Sequence, residues 1–132
     1  MIVDSSALVA ILRLEAHAER LARAIAAARQ AFVPAPCYLE TCMVIAGHKG
    51  PDSRPRVDRL LAELRLGVMP LSEAHARAAV EAFLRYGKGR HAAGLNFGDC
   101  MAYAVAQTEG RTLLFTGDDF ARTDVNVAES GG

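Results

Sequence analysis

The sequence predicts an α/β fold: one domain over residues 1–132, with about five mostly parallel strands flanked by helices on both faces. Three observations lead there. Short apolar runs alternate with segments of helical period. Prolines and glycines fall mostly at the borders of these segments. Acidic residues recur at the ends of the apolar runs or just inside the helices that follow, as expected where a parallel sheet gathers its loops along one edge.

Residues 1–3, Met-Ile-Val, form a first strand that leads through Asp4 directly into a helix over residues 5–13, with Leu8, Ile11 and Leu12 on one face. Leu21, Ala24, Ile25 and Ala28 recur at i, i+3, i+4 and i+7, marking a helix over residues 17–29 with one buried stripe. Residues 31–33 make the second strand. Pro34 and Pro36 hold the chain extended, because proline disfavours helix in the residue before it, and a third helix runs from about Pro36 toward His48. Residues 47–55, rich in Gly and Pro, break it.

Val57, Leu60, Leu61 and Leu64 define a fourth helix, and residues 67–70 a third strand. Ser72 is placed to cap a helix through about Tyr86, with Val80, Phe83 and Leu84 pointing inward. The loop of residues 87–94 reads as flexible and basic. A last helix covers residues 98–109, with Met101, Ala102, Val105 and Ala106 inside and Gly110 as its stop. Residues 112–116 give a fourth strand and residues 125–127 a short fifth.

Composition narrows the function. With 52% hydrophobic residues the chain has the material for a real core, and 15 basic against 15 acidic side chains leave no net field to attract nucleic acid or anionic membrane, so any basic contact must be local. No apolar run approaches a membrane span and no signal-peptide pattern opens the chain, which points to the cytoplasm. Cys37, Cys42 and Cys100 are odd in number and lack C-x-x-C spacing, as reduced, packed thiols do. A zinc site from Cys37, Cys42 and His48 has the wrong spacing and no fourth ligand.

The acids carry the chemistry. Asp4 and the pair Asp118–Asp119 leave strands at the carboxyl edge of the sheet, and Glu40 lies early in the helix after the second strand. A helix feeding a parallel strand runs antiparallel to it, so Asp99 starts at that same edge. Taken singly, each of these acids is explained by helix capping, where an acid near an N-terminus gains about 0.3 to 1 kcal/mol. Taken together, three or four clustered carboxylates repel by several kcal/mol at an effective dielectric of about 20 unless a cation lies among them. Oxygen-only donors fit a hard ion, magnesium or manganese, that activates water and shields phosphoryl oxygens. Small residues around the acids, Ser5, Ser6, Gly98, Thr116 and Gly117, leave room for such a site.

Five stretches resemble a PIN domain, and within that superfamily a VapC-type toxin ribonuclease of a toxin–antitoxin system. They are Met1-Ile-Val-Asp-Ser-Ser-Ala-Leu-Val-Ala-Ile-Leu12, Tyr38-Leu-Glu-Thr41, Tyr86-Gly-Lys-Gly-Arg-His91, Gly94-Leu-Asn-Phe-Gly-Asp-Cys100 and Leu113-Leu-Phe-Thr-Gly-Asp-Asp-Phe120. The resemblance implies metal-dependent RNA cleavage leaving a 5′-phosphate and a 3′-hydroxyl. It implies a homodimer, and a VapB-type antitoxin that joins it in a larger heteromer and blocks the site. Carried over by position, Asp4 and Asp99 are the principal metal ligands and Glu40 holds metal or its water. Asp118 and Asp119 compete for the fourth acid.

Lys88, Arg90 and His91 are candidates for RNA backbone contacts, alongside Lys49, Arg54 and Arg56. Tyr38, Tyr86 and Phe97 are candidates for base stacking or, more commonly, for core packing. Leu8, Leu12 and Leu21 are equally candidates for the core and for a contact with a second copy or the antitoxin. Two other readings compete. One is a catalytically silent module that binds RNA or a protein and keeps the acids for folding. The other is a phosphoacceptor using Asp4 as nucleophile, which lacks the second acid two residues on because Ser6 stands there.

Overall fold

The structure is a computed structural model, and it describes residues 1–49 and 53–128. A parallel four-stranded sheet forms its centre, in the order β3-β2-β1-β4. The strands are β1 (Ile2–Val3), β2 (Phe32–Pro34), β3 (Gly67–Met69) and β4 (Leu113–Leu114). Ile2 stands opposite both Phe32 and Leu113, so the two-residue β1 is held on both sides. Strands β1 and β4 are buried and read as continuous apolar runs, whereas the edge strand β3 exposes Val68.

Among the described residues six helices flank the sheet: α1 (Ser5–Leu12), α2 (Ala18–Ala27), α3 (Ala35–Lys49), α4 (Ser53–Glu63), α5 (Glu73–Tyr86) and α6 (Phe97–Glu109). The core joins Ile2, Val3, Leu8, Leu21, Ile25, Val33, Ile45, Val57, Leu95, Val105, Leu113 and Leu114, all fully or nearly fully buried. None of the described helices is long and apolar enough to cross a membrane.

Most elements fall where the sequence places them, with four differences. The fifth strand is reduced to a single parallel bridge between Leu113 and Val127, because exposed Asn126 and Val127 leave the core after one pairing. The break over residues 47–55 is shorter than expected: α3 continues through Gly47 to Lys49, and α4 already contains Pro55. Proline is tolerated there because the amides of a first helical turn have no partner within the helix. Gly50–Asp52 lie outside the described residues.

The third difference concerns α5, where Val80, Phe83 and Leu84 face solvent while His75, Ala82 and Tyr86 are buried. The close packing of α5 on α6 selects the stripe with small Ala79 and Ala82, not the most hydrophobic one. Fourth, the basic loop is pinned rather than loose. Lys88 N donates to Leu95 O at 3.0 Å, Leu95 N donates to Tyr86 O at 3.0 Å, and Ala93 is buried.

Leu8 and Leu21 are buried and Leu12 packs against the core, so the early helices offer no apolar docking face at these positions. Most of the large exposed apolar side chains lie on α3, α5 and the start of α6, at Leu39, Met43, Val80, Phe83, Leu84 and Phe97, with Leu14, Val68 and Val127 exposed elsewhere.

Candidate active site

Asp4 is fixed by its neighbours in the sheet. Its backbone N–H donates to Leu114 O at 2.9 Å, and its carboxylate Oδ2 accepts from Ser6 N at 3.0 Å as the N-cap of α1. The residue is only 3% exposed. Cys37 Sγ donates to the other oxygen, Oδ1, at 3.9 Å. Burial, followed by the charge of Asp4, pushes the Cys37 thiol well above its usual range, so it is an inert packing group and no nucleophile.

Glu40 lies in the second turn of α3, past the capping positions, and its Oε1 accepts the hydroxyl of Ser5. The carboxylate rests against Gly98. A Cβ on that residue would stand 2.9 Å from Oε2 and 3.1 Å from Oε1, so any larger residue there would make the Glu40 carboxylate shift. Ser6 makes the third tie, accepting from Thr116 N at 3.1 Å and joining α1 to the segment after β4. The Ser5-Ser6 dipeptide therefore braces the site on two sides.

Asp99 is the third residue of α6 and completes a reciprocal cap. Asn96 Oδ1 accepts from Asp99 N at 2.9 Å while Asp99 Oδ2 accepts from Asn96 N at 3.1 Å. A capping carboxylate is normally held ionised by these amides. Here burial outweighs them and, with the charges of Asp4, Asp119 and Glu40, pushes the Asp99 carboxyl up to about 6. Burial likewise raises Asp4, against the Ser6 hydrogen bonds and with the help of the Glu40 charge. Capping is thus real for both residues and leaves their electrostatics unexplained.

Asp118 and Asp119 follow Gly117, whose φ of +89° makes the turn out of β4, and both are exposed. Asp119 stands at the head of a short 3-10 turn (Phe120–Arg122) but makes no side-chain cap, and its charge is felt at Asp99. Four separate positions, Asp4, Glu40, Asp99 and Asp119, therefore share one electrostatic neighbourhood.

Among the described residues no group of three or more His, Cys, Asp or Glu side chains is arranged to hold a metal ion. The donor set still fits a hard cation held by one or two carboxylates and several waters, which is how magnesium usually binds. Carboxyls already raised by burial and mutual repulsion gain most from such a charge. Cys37, Cys42 and His48 form no zinc site: Cys37 is buried against Asp4, Cys42 is partly buried and His48 is exposed.

The basic candidates are dispersed. Lys88 is exposed. Arg90 Nε donates to Leu84 O at 3.2 Å, and its guanidinium lies 5.9 Å from the Phe83 ring centre. His91 Nδ1 accepts from Ala93 N at 2.9 Å, and its ring meets Tyr86 edge-on at 5.0 Å. Arg54 faces Asp58 at 3.8 Å, and Arg56 donates to Leu12 O at 3.4 Å; the Lys49 side chain lies outside the described residues. Of the aromatic candidates, Tyr86 is buried, Tyr38 donates to Asp58 at 2.6 Å, and Phe97, beside Asp99, is 84% exposed.

Sequence reasoning missed the Cys37 contact to Asp4 and the clearance that Gly98 gives Glu40. Only the small residue next to Asp99 hinted at the second.

Comparison with known proteins gives the family and the fold. The family profile described as PIN domain matches residues 1–126. Ribonuclease VapC36 of Mycobacterium tuberculosis is 47% identical over 126 residues, covering 95% of this chain and 91% of that protein. The crystal structure of Mycobacterium tuberculosis VapC20, described as a sarcin-ricin loop cleaving toxin, superposes with a TM-score of 0.76 at 16% identity, covering 94% of this chain and 95% of that one. VapBC2 from Rickettsia felis, solved bound to a DNA fragment from its promoter, gives a TM-score of 0.75 at 15% identity over 97% and 96% of the two chains. With its acids gathered at the carboxyl edge of a parallel sheet and its sequence shared over nearly its full length, this chain belongs to the PIN domain family, as a VapC-type member.

Proposed function

We propose that the chain is a magnesium- or manganese-dependent endoribonuclease, the toxin of a toxin–antitoxin pair acting in the cytoplasm as one domain over residues 1–132. The observation that carries this reading is the electrostatic convergence of Asp4, Glu40, Asp99 and Asp119, in which carboxyls that cap helices are nonetheless raised. The relatives named as VapC ribonucleases support the reaction class.

In this reading Asp4 and Asp99 hold the metal, and Glu40 holds it or its water. A bound divalent ion supplies water activation and charge neutralisation at the scissile phosphate. Asp119, whose charge reaches Asp99, serves as the fourth acid in preference to Asp118. Ser5 keeps Glu40 turned toward the cluster, and the Ser6 amide and the Cys37 thiol fix the two oxygens of Asp4. Hydrolysis leaves a 5′-phosphate and a 3′-hydroxyl. Lys88, Arg90 and His91, just upstream of Asp99, contact the RNA backbone from the exposed loop.

A VapB-type antitoxin inhibits the enzyme by setting an Arg or Lys against the carboxylates, where its charge replaces the metal's. A second copy of the chain docks on the apolar face of α3, α5 and α6. Large exposed apolar side chains are concentrated there, and such patches mark interaction sites on soluble proteins.

Purified Asp99→Asn protein should retain its fold and lose magnesium-dependent RNA cleavage. Undiminished cleavage by that protein, free of contaminating nuclease, overturns the reading. RNA binding by the unaltered chain with no metal-dependent turnover identifies a silent binding module instead.

A further inference from the structure

The edge of the sheet opposite the carboxylates has the reverse chemistry. Residues that precede three of the strands, Met1, Gln30 and Thr112, line a cavity of ≈ 660 Å³ together with Ala28, Arg29 and Arg111. Its described lining contains no carboxylate side chain. Arg111 is oriented by Gln30, whose Oε1 accepts from Nη2 at 3.3 Å, and its guanidinium lies 5.2 Å from the Phe32 ring centre. Its Nε–H is buried and finds no acceptor among the described residues. Within that same set neither Arg29 nor Arg111 takes part in an ion pair, whereas Arg23, Arg54, Arg77 and Arg85 each do.

The cavity continues into a second of ≈ 310 Å³, which shares Ala28, Arg29 and Gln30 and adds Arg65 beside Glu63. Arg111, Arg29 and Arg65 thus stand in sequence along one trough. In a chain whose charges sum to zero, this amino-edge trough is a local cationic track, separated from the acids by the height of the sheet.

We propose that this trough binds the phosphodiester backbone of the RNA, holding substrate at a distance from the bond that is cut. Guanidinium groups match phosphate oxygens as planar, bidentate donors, and the Thr112 hydroxyl adds a neutral one. Arginines spaced along two connected cavities fit a polyanion better than a single phosphate. The site contacts only backbone, so it adds affinity and orientation without reading sequence. The proposal rests on the ribonuclease reading above, and its test separates the two.

The Asp99→Asn chain, expected from the ribonuclease reading to bind without cutting, is compared with the same chain also carrying Arg29→Ala and Arg111→Ala. Binding of fluorescein-labelled RNA hairpins of random sequence is followed by anisotropy over a range of salt. The arginine variant should bind about tenfold more weakly, uniformly across sequences, with a salt slope shallower by roughly 1 for each phosphate that is no longer neutralised. Arg29→Ala alone, an exposed substitution that spares the Arg111 packing, should show part of the loss, and the double Lys variant should regain most of it.

Equal affinity and equal slope in folded arginine variants, while the unaltered chain still cleaves RNA, overturn this proposal and leave the ribonuclease reading standing. An unaltered chain that neither binds nor cleaves RNA overturns both. Weakened antitoxin binding with unchanged RNA binding assigns the trough to a protein contact and overturns the RNA assignment.

Discussion

Two helices in this molecule begin with the same local device and put it to different ends. At the start of α5, Ser72 and His75 cap each other: Ser72 Oγ accepts from His75 N at 3.1 Å and His75 Nδ1 accepts from Ser72 N at 3.0 Å. At the start of α6, Asn96 and Asp99 do the same. The difference lies in what the capping residue meets beyond its own helix. His75 Nε2 lies 2.8 Å from Glu109 Oε2, so the buried ring is satisfied at both nitrogens. Asp99 meets the charges of three other acids and is left with a carboxyl raised to about 6. A local motif therefore does not reveal its role; the complementarity or conflict of its surroundings does.

The strongest test of this contrast is to remove the conflict. Asp99→Asn keeps an oxygen for the Asn96 amide, so the cap should survive while metal-dependent cleavage falls by roughly 10³-fold, the scale of losing a principal electrostatic group. In the metal-free protein at neutral pH the same change should raise the melting temperature, because it removes an ion that the folded state disfavours. A lower melting temperature would place Asp99 with His75, as a purely structural cap.

Conversely, His75→Ala should act on stability alone. Losing the reciprocal cap and stranding the Glu109 partner should cost about 1 to 3 kcal/mol in a denaturant titration. Cleavage per folded molecule should not change. A selective loss of turnover would show that the two caps are not as different as their surroundings imply.

A smaller effect is expected from Gly98→Ala. The added methyl would crowd the Glu40 carboxylate and push it from its place, reducing cleavage by about tenfold, or roughly 1.4 kcal/mol. Helix propensity favours alanine, so the melting temperature should hold or rise. Unchanged cleavage kinetics would show that Glu40 does not need this position.

The smallest effect concerns pH. Because the folded-state value for Asp99 is raised, the folded chain binds its proton more tightly than the unfolded chain does. The resulting penalty is absent below about pH 4, grows as pH rises toward 6, and is complete above it. Metal-free protein should therefore melt at a lower temperature at pH 7 than at pH 5.5, and the Asp99→Asn protein should show less of this slope. Identical slopes in the two proteins would remove Asp99 as its source.

The acids and the strands were legible because both follow short-range rules. An acid placed after an apolar run, or near the start of a helix after one, needs only the topology of a parallel sheet to find its neighbours. The inward face of α5 was not legible, because Val80, Phe83 and Leu84 are more hydrophobic than the stripe of His75, Ala79, Ala82 and Tyr86 that packs against α6. Close helix contact rewards small side chains, and their value depends on the partner helix. The Ser5–Glu40 bond and the Arg29–Arg111 trough join residues far apart in the chain and leave no periodic trace. The fifth strand failed for a similar reason, since one bridge at Val127 is a matter of where the chain turns, not of composition.

The short central strand has a consequence for synthesis. β1 is made well before β4, yet Asp4 is seated by a hydrogen bond that its own N–H donates to Leu114 O. Until that late segment has left the ribosome, the nascent polypeptide has no completed catalytic edge, however much of its amino-terminal part has already collapsed. The edge therefore stays incomplete throughout synthesis of the whole segment between Asp4 and Leu114.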